Sequence, residues 1–115
     1  MHQVSYNELK ELIDEKQKYV LIDVREKHEL KHGVIPTSHH IPLHEFLNSL
    51  SLAQDEFKKR YGFPLTKKDK LILYCHSGNR SGFAAKIARE KGFKASNFEG
   101  SILEWSKYDP NVKAY

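Results

Sequence analysis

The 115-residue chain holds one cysteine, one methionine and one tryptophan. It has no apolar run near the ~20 residues that a membrane-spanning helix needs. A single thiol can neither close an internal disulfide nor resolve an oxidised sulfur within the same chain. A secreted disulfide scaffold is therefore excluded, and a reducing compartment is expected. Any redox cycle must take its second thiol from another molecule. The opening MHQVSYNELKE has neither a signal-peptide core nor an Arg-rich transit pattern. The expected location is cytoplasmic, or mitochondrial if a targeting segment has been removed. Internal repeats, linkers and low-complexity stretches are also lacking, so one domain over residues 1–115 is expected.

What is present reads as a folded, soluble composition: 39% hydrophobic and 30% charged residues. The net charge of +4 comes from lysines dispersed among acids in REKHELKHG, FKKRYG and LTKKDK, without a nucleic-acid motif. Neither nucleic acid nor a membrane is an expected partner. The mild positive field suits a small anionic substrate.

Ser5 and Glu8 form a capping box before Tyr6, Leu9, Leu12 and Ile13 at helical spacing, predicting an amphipathic helix over 5–16. YVLID (19–23) and LILY (71–74) are apolar on consecutive positions, the pattern of strands buried on both faces. Between them come a charged helical turn at EKHELKHG, a Pro-punctuated loop with one short strand, a helical region over 43–61 and a turn at GFPLTKKDK. After Cys75, the residues Phe83, Ala84, Ile87 and Ala88 share a helical face. That helix starts near Arg80 and ends at Gly92. KASNF (94–98) predicts a last strand, and SILEW (101–105) repeats the Ser-x-x-Glu cap before a final helix. The alternation predicts an α/β domain of three layers, α/β/α, around a mainly parallel sheet.

Ligands of such sheets bind beyond the carboxyl ends of the strands, where Cys75 is expected. The loop from Cys75 to Arg80 feeds a helix, so its amides and the free N–H groups of the first turn can surround an anion and favour a thiolate. Gly78 suits a loop that needs a positive φ or a close backbone approach, and Arg80 places a cation at the rim. The competing reading, a small hydrophobe ending a buried strand, leaves the Gly, the Arg and the helix start unexplained. Asp23 and Arg25 lie on the same sheet edge. They either border this pocket or tie down neighbouring amides and acids. Trp105 reads as core. His39, His40, His44 and His76 invite a metal, but no thiolate pair, carboxylate cluster or ligand spacing joins them. Surface histidines are expected, with no metal or other cofactor.

CHSGNRS (75–81) resembles the active-site loop C-x-x-G-x-R-S of single-domain rhodaneses, which are sulfurtransferases. LIDVREKHELKHGVIPTSHHIPL resembles their upstream signature, D-V-R-E followed by E, G-H-I-P-G-A and I-P, and NFEGSILEW resembles their closing G-G…W. Ordered matches thus run from Leu21 to Trp105. Val34, Thr37, Ser38 and Ser101 depart from the pattern, standing where His, Gly, Ala and the second closing Gly are usual.

The resemblance implies a rhodanese-like, five-stranded sheet and a double displacement. The Cys75 thiolate takes the outer sulfur of thiosulfate, sulfite leaves, and a thiophilic acceptor takes the sulfur from the Cys75 persulfide. It further implies that loop amides hold the anionic sulfur. Arg80 anchors the loop or steers the donor, Asn79 and Ser81 shape the loop, and His76 and Ser77 sit at the mouth and tune the acceptor. EFKKRYGFP and its surroundings resemble small eukaryotic thiosulfate sulfurtransferases that pass sulfur to glutathione. Glutathione or a thioredoxin-like dithiol is thus the expected acceptor, cyanide its laboratory substitute, and the chain a monomer. Mercaptopyruvate would call for a loop resembling C-G-S-G-V, which CHSGNR does not match.

Two alternatives stay open. A phosphatase or arsenate reductase also binds its anion at a Cys…Arg loop, but C-x5-R has one residue more than the four between Cys75 and Arg80. A non-catalytic or persulfide-sensing module of the same fold would more often lack Cys75, Gly78 or Arg80.

Overall fold

In the computed structural model, which describes residues 2–114, chain order gives β1 (Gln3–Val4), α1 (Tyr6–Asp14), β2 (Val20–Asp23), a 3-10 helix (Lys27–His32) and β3 (His39–His40). There follow α2 (Leu43–Ser49), α3 (Gln54–Tyr61), β4 (Lys70–Tyr74), α4 (Asn79–Glu90), β5 (Lys94–Phe98) and α5 (Ser101–Trp105). The strands lie in the order β1-β5-β4-β2-β3, and every pairing is parallel.

The consecutive apolar residues of β2 and β4 explain their central place. Leu21 pairs with Ile72 and Ile22 with Leu73, and alternate side chains face opposite sides of the sheet. Ile22, Leu71 and Leu73 pack with Phe46, Phe57, Ala84, Ala85 and Ala88 beneath α2, α3 and α4. Leu21, Ile72 and Phe98 pack with Leu9, Leu12, Ile102 and Trp105 beneath α1 and α5. This is the three-layer arrangement expected from the alternation of elements. Ile72 is fully buried, so its truncation to Ala costs about 2–5 kcal/mol.

The Ser5 capping box is present in full: Glu8 N–H donates to Ser5 Oγ at 3.1 Å and Ser5 N–H to Glu8 Oε1 at 2.9 Å. Three elements differ from expectation. The region 43–61 is two helices, because Ser49 Oγ turns back onto Phe46 O at 2.6 Å and residues 50–53 leave the helix so that Phe46 and Phe57 both reach the core. β1 is too short for periodicity to reveal; it is held on β5 by Asn97 N–H donating to His2 O at 2.9 Å. Ser101 does not cap α5. It is the first helical residue, with φ +52°, and its hydroxyl is used elsewhere.

Candidate active site

β4 delivers Cys75 at its carboxyl end, and the chain turns at once into α4. The turn depends on Gly78, which has φ +96°; a Cβ there would collide with the Glu99 carbonyl oxygen. Gly78 is also the N-cap of α4 and offers no side-chain acceptor, so the first N–H groups of the helix stay free for the sulfur. Gly78 N–H donates to Cys75 Sγ at 3.1 Å and Ser81 N–H at 3.5 Å, with Ser81 Oγ at 3.4 Å.

Cys75 is 1% exposed. Burial pushes the thiol pKa up, but a thiolate at this position draws hydrogen bonds from the Ser81 hydroxyl and N–H, and from the Gly78 and Ser77 N–H groups, which outweigh burial and leave the pKa lowered. The geometry can hold a thiolate at the start of a 12-residue helix.

Three residues fix this loop: Ser101, expected as a helix cap, and Asn97 and Glu29, which the sequence did not single out. Cys75 N–H donates to Ser101 Oγ at 3.1 Å, and that hydroxyl donates to Phe98 O at 2.8 Å. Ile102 and Leu103 N–H groups then hold the carbonyls of Cys75 and His76, both at 3.1 Å. Asn97, a buried amide in β5, donates to Gly78 O at 3.1 Å and accepts from Ser81 Oγ at 2.6 Å. Glu29, in the 3-10 helix, receives the Arg80 guanidinium on both oxygens at 2.7 and 2.9 Å. Those Arg80 bonds hold the Glu29 pKa down at about 2 against the opposing effect of burial. The lone amide in KASNF was the signal for Asn97; for Ser101, the signal was its standing at an expected glycine.

Asp23 and Arg25 face each other. Arg25 donates to Asp23 through Nε and through one terminal nitrogen, Nη2, at 2.8 Å, and both residues are at most 2% exposed. Arg25 also reaches Glu29 O and Gly33 O, and its N–H caps Asp23. Ser77 and Asn79 are exposed. His76, expected at the mouth beside Ser77, is half-buried, and its Nε2 is buried without a partner among the described residues. His40 Nε2 lies 2.7 Å from Arg25 O and His39 stacks on Phe63. Among the described residues, no three or more metal-ligating side chains lie together, and no helix is long and apolar enough to cross a membrane. Trp105 lies in the core, its ring 5.3 Å from that of Tyr6.

The family model for the rhodanese-like domain matches residues 5–108. The chain belongs to the rhodanese family. It is 44% identical over 89 residues to the putative mitochondrial thiosulfate sulfurtransferase of Schizosaccharomyces pombe, a match covering 76% of this chain and 63% of that protein. It is 35% identical over 104 residues to the thiosulfate:glutathione sulfurtransferase of Saccharomyces cerevisiae, covering 88% and 75%. The human single-domain sulfurtransferase TSTD1 superposes with a TM-score of 0.87 at 29% identity, covering 95% of this chain and 98% of that one. Against the rhodanese pattern, both residues standing at glycine positions adopt left-handed backbone, Thr37 at φ +73° and Ser101 at +52°. Each is held there by a side-chain hydroxyl, Thr37 by Tyr19 Oη at 2.7 Å.

Proposed function

We propose that this rhodanese is a thiosulfate sulfurtransferase that works through a Cys75 persulfide. The Cys75 thiolate attacks the outer sulfur of thiosulfate; the S–S bond of the donor breaks and its electron pair leaves with sulfite. An acceptor thiolate, glutathione in the leading case, then attacks the outer sulfur of the persulfide, and the Cys75 thiolate leaves. A thioredoxin-like dithiol is the second acceptor, and its free thiol supplies the partner that a one-cysteine chain lacks.

The observation that carries this reading is the pair of N–H groups, from Gly78 and Ser81, turned onto a single buried sulfur. They favour the thiolate before attack and the anionic outer sulfur after it. An almost covered sulfur admits a slim donor such as thiosulfate more readily than a phosphorylated side chain. The acceptor is supported by the named activity of the budding-yeast relative. With Arg80 bound to Glu29, its role is to anchor the loop rather than to hold the donor. Asn79 and Ser77, both exposed, border the entrance; Asp23 and Arg25 support it from beneath.

The chain acts as a single domain and as a monomer, in a reducing compartment. The cytoplasm is the first choice, and the mitochondrial names of two yeast relatives support the mitochondrion as the other. A rapid-mixing assay without acceptor tests the function. One sulfite released per chain, followed by a halt until glutathione is added, supports it; continuous release without acceptor, or none, contradicts it.

A further inference from the structure

Ser81 has one hydroxyl proton and two neighbours that can take it: Asn97 Oδ1 at 2.6 Å and Cys75 Sγ at 3.4 Å. The Asn97 amide decides between them. Its far side meets Gly78 O at 3.1 Å, and a carbonyl oxygen can only accept, so Nδ2 lies there and Oδ1 faces Ser81. An amide oxygen can only accept as well, so at 2.6 Å the Ser81 proton belongs to Asn97. The Ser81 oxygen then turns its lone pairs toward Cys75. That arrangement welcomes an S–H, which donates to Ser81, and repels a thiolate. Once the thiol proton passes to water, the strongest available partner for the Ser81 hydroxyl is the sulfur anion.

We propose that the Ser81 hydroxyl is a two-position switch, given to Asn97 while the Cys75 sulfur is neutral and to the sulfur while it is a thiolate, and that Asn97 is the positioning residue that holds the first position. The persulfide fits the same scheme. Its charge resides on the outer sulfur, Sγ is again neutral, and the hydroxyl returns to Asn97 while the loop N–H groups serve the outer sulfur. The switch therefore follows the charge through the cycle.

The surroundings are built to hold the amide in place. Asn97 is 4% and Ser81 0% exposed. Gly82 leaves room for the amide, since a Cβ there would lie 3.2 Å from Asn97 Nδ2. Gly82 N–H also holds Gly78 O at 2.9 Å, so the loop keeps an anchor when Asn97 is replaced. The titratable and charged groups on the elements around the loop include Arg80 with Glu29, the Asp23–Arg25 pair, Tyr74, His76 and Glu99, with Lys70, Lys86, Arg89, Glu90, Lys94 and Glu104 on the same strands and helices. None is altered in the variants below.

This inference rests on Cys75 as the nucleophile of the proposed function but not on the donor. Its test therefore reads the thiol directly, as the pH dependence of Cys75 alkylation by iodoacetamide in the full chain without thiosulfate. Failure of sulfur transfer and failure of the switch are thereby separate results. Four proteins are compared with the parent: Asn97→Leu, Ser81→Ala, the double variant, and Gly82→Ala, which disturbs the amide from outside and serves if Asn97→Leu does not fold.

The expected midpoint moves down by about one pH unit in Asn97→Leu, because the hydroxyl is released to the thiolate. It moves down by less in Gly82→Ala, moves up in Ser81→Ala, and is indifferent to Asn97 once Ser81 is Ala. A general loosening of the loop would not depend on the Ser81 hydroxyl in this way. The switch is overturned if the Asn97 and Gly82 variants leave the midpoint in place or raise it, or if Asn97→Leu shifts it equally with and without the hydroxyl.

Discussion

Arg80 and Glu29, 51 residues apart in the chain, meet in a two-point ion pair at 2.7 and 2.9 Å that binds the first turn of α4 to the 3-10 helix. The carboxylate is held well below its ordinary range, at about 2. A carboxylate lowered by folding stabilises the fold above its unfolded value and loses that contribution as the pH falls through the folded one. The melting temperature of Glu29→Gln should therefore lie below that of the parent near neutral pH, by about 2–5 °C for a partly solvated pair. The gap should close as the pH falls from about 5 toward 2. Thermal melts of both proteins across this range check it.

Gly78 combines a left-handed backbone with a neighbour that leaves no room for a side chain. Gly78→Ala should lose about 2 kcal/mol or more of stability and displace an N–H group from the sulfur. Urea unfolding and Cys75 alkylation rates, measured together, should both fall; an Ala variant with parental alkylation would show that the loop does not require this conformation.

Ser101 makes a sharper comparison. Its hydroxyl takes the buried Cys75 N–H, and its backbone sits at φ +52°. Ser101→Ala removes the partner and keeps the strained backbone, which should cost about 1–3 kcal/mol. Ser101→Gly removes the same partner but relieves the backbone, so it should be the milder change by about 1 kcal/mol. Denaturant midpoints of the two variants decide the order.

Asp23 and Arg25 form a buried pair in which each charge depends on the other. Asp23→Leu alone should destabilise by about 3–5 kcal/mol because it strands the guanidinium. Asp23→Leu with Arg25→Met should recover much of that loss. Equal losses in the single and double variants would assign the pair's value to its wider contacts with Glu29 and Gly33.

The central strands were legible because β2 and β4 are apolar on consecutive residues, and α1 because Ser5, Glu8 and the Leu9–Leu12 stripe agree. The place of Cys75 followed from the strand before it and the helix after it. What escaped the sequence was tertiary. Nothing local distinguishes residues 50–53 from a continuing helix, and β1 is defined only by its partner β5. The Ser-x-x-Glu spacing at Ser101 suggested a cap, but the Cys75 N–H lay nearby in space and took the hydroxyl. Glu29 and Asn97 act on the loop from 46 residues before Cys75 and 22 after it, distances across which no spacing rule applies.

The most direct test of sulfur transfer through Cys75 is the intact mass of the full chain after incubation with thiosulfate, beside Cys75→Ser. The account predicts one added sulfur atom in the parent, removed by glutathione, and none in the variant. An unchanged parent mass, or an equal gain in Cys75→Ser, would contradict it.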